Sequence, residues 1–217
     1  MNLKRVFFSI ALAGVLFQSS LAFAQSQIIK DFLEAMDQRN DVLMTKIVED
    51  NKAKIPAEIK ALLDENLKPE TTAEAREENF FVAESLARTY KEVTDDAGIL
   101  KDVKKKSFES RLGAAARPAP VDGFFIMEFP APTDAVKNVF KPDNIFIPKG
   151  SSVRWVNKDI EGHVFSTVPF ISDGGFMSPR IEPEQTWEYK FENPGEYYLI
   201  CFVHHAMIGK VTVEDKK

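Results

Sequence analysis

The sequence predicts an α+β chain in two parts, an N-terminal helical region followed by a C-terminal all-β sandwich or barrel. Three observations carry that prediction. Residues 25–112 contain no His, Cys or Trp and a single Gly, and their apolar residues recur at helical spacing. The stretch Gly113–Val121 is rich in Ala and Pro and has no period. From Asp122 onward, short β-branched and aromatic runs alternate with Gly, Pro, Asn and Asp.

Before these parts, residues 1–24 read as an export signal. Lys4 and Arg5 form a basic start, Val6 to Phe17 is uncharged and mostly apolar, and Ala22-Phe23-Ala24 has the small-x-small form of a cleavage site. The apolar run is shorter than the roughly 20 residues a membrane span needs. The expectation is a periplasmic or otherwise exported chain with no stable membrane insertion after cleavage. Domain boundaries follow: 1–24 signal peptide, 25–112 helical domain, 113–121 linker, 122–217 β domain.

In the helical region the expected helices are 26–37, 41–53, 56–67, 72–96 and 99–111. Pro56 suits a first helical turn, with Ile59, Leu62 and Leu63 following at helical spacing. Thr71 and Glu74 have the spacing of a capping box. Phe80, Phe81, Ala83, Leu86, Ala87, Tyr90 and Val93 mark an apolar stripe, and Gly98 is placed to stop the helix. The stripe reads as core. In the β region the expected strands are 124–129, 135–140, 144–147, 152–157, 164–168, 186–191, 195–201 and 209–213. Eight short strands at this spacing fit a sandwich.

Hydrophobic residues make up 44% of the chain, enough for packed domains, and 28% of residues are charged. The net charge of -5 argues against a nucleic-acid partner. Export favours disulfides, yet the chain has one Cys, Cys201, so no intramolecular disulfide exists. A lone thiol in an oxidising compartment is protected if it holds a metal.

Every His in the chain, His163, His204 and His205, falls in the β region with Cys201 and Met207. Two imidazoles, one thiolate and a weak axial thioether are the donor set of a blue-copper site. Zinc sites seldom use thioether and recruit more Cys or His. Cys201 would end a strand, and a tight loop would return His204 and Met207 to the same ion. His163 would come from the loop after Trp155-Val-Asn157. His205 in place of His204 would leave one residue before Met207 and fits the loop poorly.

The pattern Val156-Asn157 … His163 … Tyr197-Tyr-Leu-Ile-Cys201-Phe-Val-His204-His-Ala-Met207-Ile-Gly209-Lys-Val211 resembles the cupredoxin family, within it the plastocyanin and amicyanin group. The two-residue gap between His204 and Met207 is most similar to amicyanin. The resemblance covers about residues 135–214 and implies a Greek-key cupredoxin sandwich holding one type 1 copper ion through His163, Cys201, His204 and Met207. It implies single-electron transfer between redox proteins such as cytochromes or copper or quinone oxidoreductases. Phe170, Phe176, Phe202 and Ala206 are candidates for an apolar patch around His204. Two positions depart from the family: Val164 stands where Asn often follows the first His, and Val203 where Pro often precedes the second.

Two rival functions remain at this level. Copper storage or delivery would use the same residues. Enzyme activity is disfavoured, because three His in total cannot build a separate three-His copper centre, and neither a Ser/His/Asp nor a haem attachment motif occurs. The sequence leaves the oligomeric state and the role of residues 25–112 open.

Overall fold

The computed structural model describes residues 26–133 and 136–215. The expected signal segment, 1–24, lies outside the described residues. The chain sorts into two compact units, one ending at Asp96 and one beginning at Ala97.

The first unit holds four helices: α1 (Gln27–Asp37), α2 (Asp41–Asn51), α3 (Ile55–Glu65) and α4 (Ala73–Thr94). Each start has a local cause. The side chains of Ser26, Asn40 and Thr72 accept the backbone N–H groups of Ile29, Leu43 and Ala75, and Pro56 sits in the first turn of α3. Ile29, Phe32, Val48, Ile59, Leu62, Val82 and Leu86 are buried. Asn79, at the same helical spacing, is also buried and donates to Asn66 Oδ1 over 2.8 Å.

Three details differ from the sequence reading. The cap of α4 is Thr72, while Thr71 Oγ1 donates to the Glu65 carbonyl over 2.6 Å. The helix stops at Asp95, which adopts a left-handed φ of 59°, so Gly98 begins the next helix instead of ending this one. Phe81, counted in the apolar stripe, is exposed.

The second unit opens with α5 (Gly98–Glu109). Its strands are β1 (Phe124–Phe129), β2 (Asn144–Pro148), β3 (Ser152–Asn157), β4 (Phe165–Thr167), β5 (Thr186–Lys190), β6 (Gly195–Cys201) and β7 (Ile208–Glu214). They form two sheets, ordered β1-β3-β5 and β2-β7-β6-β4. β1 and β3 run parallel, as do β2 and β7, and β6 is antiparallel to both of its neighbours. Burial alternates along β1, β2 and β3, so one face of each strand enters the core. That core joins Met127, Phe129, Phe140, Ile145, Val153, Trp155, Phe165, Leu199, Cys201 and Val211.

The expected strand at 135–140 does not form over the described residues 136–140. Asn138 sits at φ 52°, in the left-handed region, which breaks an extended run. Phe140 nevertheless reaches the core.

The sequence reading grouped α5 with the other helices, but its packing lies with the sheets. Phe108 joins Ile171, Tyr198 and Ile208 in a second apolar cluster, with Phe108 edge-on to Tyr198 at 5.3 Å. Along β6, Tyr197, Leu199 and Cys201 face the main core while Tyr198 faces this cluster. A ring of charge surrounds it. Lys210 contacts Glu109 and lies 2.6 Å from Glu196, Lys105 reaches Glu196 at 2.6 Å, and Tyr198 donates to Glu109 over 2.6 Å.

The stretch read as a linker also has sheet partners. Ala116 exchanges hydrogen bonds of 2.9 Å with Asn144 and Phe146, and Arg117 makes a paired contact with Glu214 at 2.6 and 2.8 Å.

Candidate metal centre

β3 ends at Asn157, and the loop Lys158–Gly162 carries the chain to His163. Asn157 is buried and shapes that loop. Its Nδ2 donates to the carbonyls of Glu161 (2.8 Å) and Ile181 (2.9 Å), and its Oδ1 accepts the Asp159 N–H (2.8 Å). His163 and Ile181 then exchange backbone hydrogen bonds of 3.0 and 2.9 Å. The first imidazole is thereby fixed by backbone on both sides.

Cys201 ends β6 opposite Phe165 of β4. The chain then turns tightly. Phe202 N–H donates to Val164 O (2.8 Å), Met207 N–H to His204 O (2.8 Å) and Cys201 N–H to Met207 O (3.0 Å). The Val164 carbonyl thus joins the two ligand loops through the main chain, at the position where a side-chain amide often does so in the family. Gly209 follows at a close approach. A Cβ there would stand 3.1 Å from the Phe140 ring and 3.2 Å from the Asp143 carbonyl.

The donor atoms of His163, Cys201 and His204 lie within 4.8 Å of one another. His163 Nδ1 is 3.7 Å from Cys201 Sγ, and the two imidazole centroids are 5.0 Å apart. Each ring is held from behind by a carboxylate. His163 Nε2–H donates to Asp159 Oδ2 over 3.1 Å, and His204 Nε2–H to Glu161 Oε2 over 2.8 Å. Both rings therefore present Nδ1 as the free lone pair. Burial pushes the pKa of His163 below the ordinary imidazole value against the opposing pull of Asp159, which keeps the ring neutral and able to ligate. His204 Nδ1 is buried with no hydrogen-bond partner among the described residues. A buried orphan acceptor costs free energy unless something satisfies it, and a soft or borderline cation between two imidazoles and a thiolate does so. The residues fit copper on the chemistry of the donor set.

Met207, like His163 and Cys201, is fully buried, whereas His205 is exposed. Phe202 and Val203 are exposed beside His204. Phe170 is exposed too, but Phe176, expected in the same patch, stacks on Tyr189 at 4.2 Å and packs against the core. Sequence reasoning missed Asp159 and Glu161. Their one visible signal is position, in the short loop immediately before His163.

The sequence profile for copper binding proteins of the plastocyanin/azurin family matches residues 131–214. Amicyanin-alpha of Methylorubrum extorquens is 35% identical over 96 residues, which cover 41% of this chain and 78% of that protein. Amicyanin of Paracoccus denitrificans is 27% identical over 82 residues, covering 37% and 63%. Among solved structures, a purple cupredoxin from Nitrosopumilus maritimus is 28% identical and has a TM-score of 0.36, covering 41% of this chain and 98% of that one. With the family profile and the amicyanin-alpha match both lying over the β-sandwich, the chain belongs to the plastocyanin/azurin family of copper binding proteins, and it is a copper-binding electron-transfer protein.

Proposed function

We propose that the chain is an exported blue-copper carrier that passes single electrons between redox partners, with copper held by His163, Cys201, His204 and Met207. The observation that carries the reading is the buried, unpartnered Nδ1 of His204 facing a neutral imidazole and a buried thiol. Copper supplies a reversible one-electron couple when bound in such a donor set. The chain supplies the rest. β6 and the short loop 202–207 hold Cys201, His204 and Met207, and the loop that Asn157 shapes carries the fourth donor, His163. The side chain of His204 is 15% exposed, so its ring is the path from the interior to a docked partner. Phe202 and Val203 beside it offer an apolar surface for brief docking. Partners of this class are cytochromes or copper or quinone oxidoreductases, and the working compartment is the periplasm or another exported space. Electron carriage without catalysis of its own follows from the same reading.

The test is an absorption spectrum of the copper-loaded oxidised protein, with a potentiometric titration. The expected result is an intense band near roughly 600 nm from Cys–Cu(II) charge transfer that bleaches and returns reversibly. Cys201→Ser abolishes the band, and Met207→Leu retains it with an altered potential. A protein that binds only Cu(I), stays colourless and releases metal easily would overturn electron carriage in favour of copper delivery.

A further inference from the structure

Each of the two imidazoles in the donor set rests on a carboxylate from the same loop, but the carboxylates differ in solvent access. The side chain of Asp159 is 3% exposed and that of Glu161 is 58% exposed. Among the described residues, the one ion-pair partner of Asp159 is the His163 ring. Its Oδ2 accepts from His163 Nε2 and its Oδ1 accepts from the Ile160 backbone N–H over 2.6 Å. A buried carboxylate facing only neutral donors is expensive to keep. The first imidazole would be oriented equally well by a backbone carbonyl.

Resting on the copper reading above, we propose that Asp159 is a positioning residue that sets the preference of the site for Cu(II) over Cu(I). The argument is a charge count in a dry interior. Cu(II) with the Cys201 thiolate sums to +1, and the Asp159 carboxylate brings the buried set to zero. Cu(I) with the same groups sums to -1. Uncompensated buried charge is penalised, so the carboxylate stabilises the oxidised form and lowers the reduction potential. Through the shared ring it also increases the electron donation of His163 Nδ1 toward the metal, which acts in the same direction. Glu161 faces water, so screening leaves its charge little weight.

The geometry separates charge from shape. In Asp159→Asn the side-chain volume is unchanged and the amide oxygen can still accept from His163 Nε2–H, at the loss of the acceptor for the Ile160 N–H, and Asp159→Ser removes the charge without placing an amide NH2 there. The Cu(II) and Cu(I) dissociation constants, measured by competition with chelators specific for each valence, and the potential of the loaded protein are compared for wild type, Asp159→Asn, Asp159→Ser and Glu161→Gln. The expected outcome is a shift of at least about tenfold toward Cu(I) in the ratio of the two constants for both Asp159 variants, equivalent to a potential higher by about 59 mV. Glu161→Gln stays within about twofold. An intact 600 nm band with an unmoved ratio in Asp159→Asn overturns the proposal while leaving the copper reading in place. A wild-type protein with no such band overturns the copper reading itself. If neither Asp159 variant folds, the carboxylate serves folding, and the proposal fails.

Discussion

Replacing Lys210 with Met should destabilise the second unit by about 2 kcal/mol. The Lys210 side chain is 10% exposed and sits between Glu109 and Glu196. Although burial disfavours its charge, its hydrogen bonds to the two carboxylates raise its pKa above the ordinary lysine value. Met fills the same volume, so packing against the Tyr198 ring survives and the change is electrostatic. It leaves two carboxylates facing each other with Lys105 as the remaining cation on Glu196. Removing one partner of a fully buried ion pair costs about 3–5 kcal/mol. Here Glu109 and Glu196 are 38% and 33% exposed, so screening reduces the figure to about 2 kcal/mol. For a unit of this size that is a fall in Tm of roughly 6–10 °C.

The same cluster makes a pH prediction. Burial works to raise the Glu196 pKa, but hydrogen bonds from Lys105 and Lys210 overcome it and hold the carboxyl down to about 2. A group depressed in the folded state contributes stability above its unfolded value, near 4.5, and loses it as pH falls toward 2. After discounting for the exposed third of the side chain, the contribution is about 1–2 kcal/mol. Both Trp residues, Trp155 and Trp187, belong to the second unit, so Trp fluorescence during urea unfolding of the full chain reports that unit alone. Wild type should lose stability between pH 4.5 and 2, and Glu196→Gln should flatten that slope. A Lys210→Met protein within 0.5 kcal/mol of wild type (about the scatter of neutral surface changes) would refute the reasoning.

Two further substitutions probe the scaffold. Asn157→Ala removes three hydrogen bonds, two of them buried, that shape the loop before His163; a loss of about 2–4 kcal/mol is expected by urea titration, with copper affinity falling about 10–100-fold by chelator competition. Gly209→Ala puts a methyl group against the Phe140 ring and the Asp143 carbonyl; a cost of about 1–2 kcal/mol by the same titration is expected, and a neutral result would show that Phe140 yields freely.

Much of the architecture was legible because local chemistry and global packing agree. β1, β3 and β6 have the bounds that their β-branched and aromatic runs predict, since turn residues close each run. The proposed copper donors were legible because Cys, His and Met are rare in this chain and three of the four fall within seven residues, Cys201 to Met207. Other features carried no period. The stop of α4 depends on Asp95 accepting a left-handed backbone, a role usually taken by Gly. The missing strand near Phe140 depends on Asn138 doing the same. Asp159 and Glu161 look like ordinary loop acids until folding brings their carboxylates to the two imidazoles.

The placement of α5 had a signal that periodicity along the helix alone does not supply. A strand with one wet face alternates, but Tyr197-Tyr198-Leu199-Ile200-Cys201 is an unbroken apolar run, the mark of a strand covered on both sides. Something had to lie over Tyr198, and Phe108 of α5 does. The consequence reaches the metal centre. Cys201 is the last residue of the strand that α5 covers, and it is paired on one side with β4 and followed by the return into β7. In the proposed role of Cys201, a thiolate serving two valences of copper with little movement needs a support that does not yield. β6 provides one by having side chains packed on both faces and hydrogen-bonded neighbours on both edges.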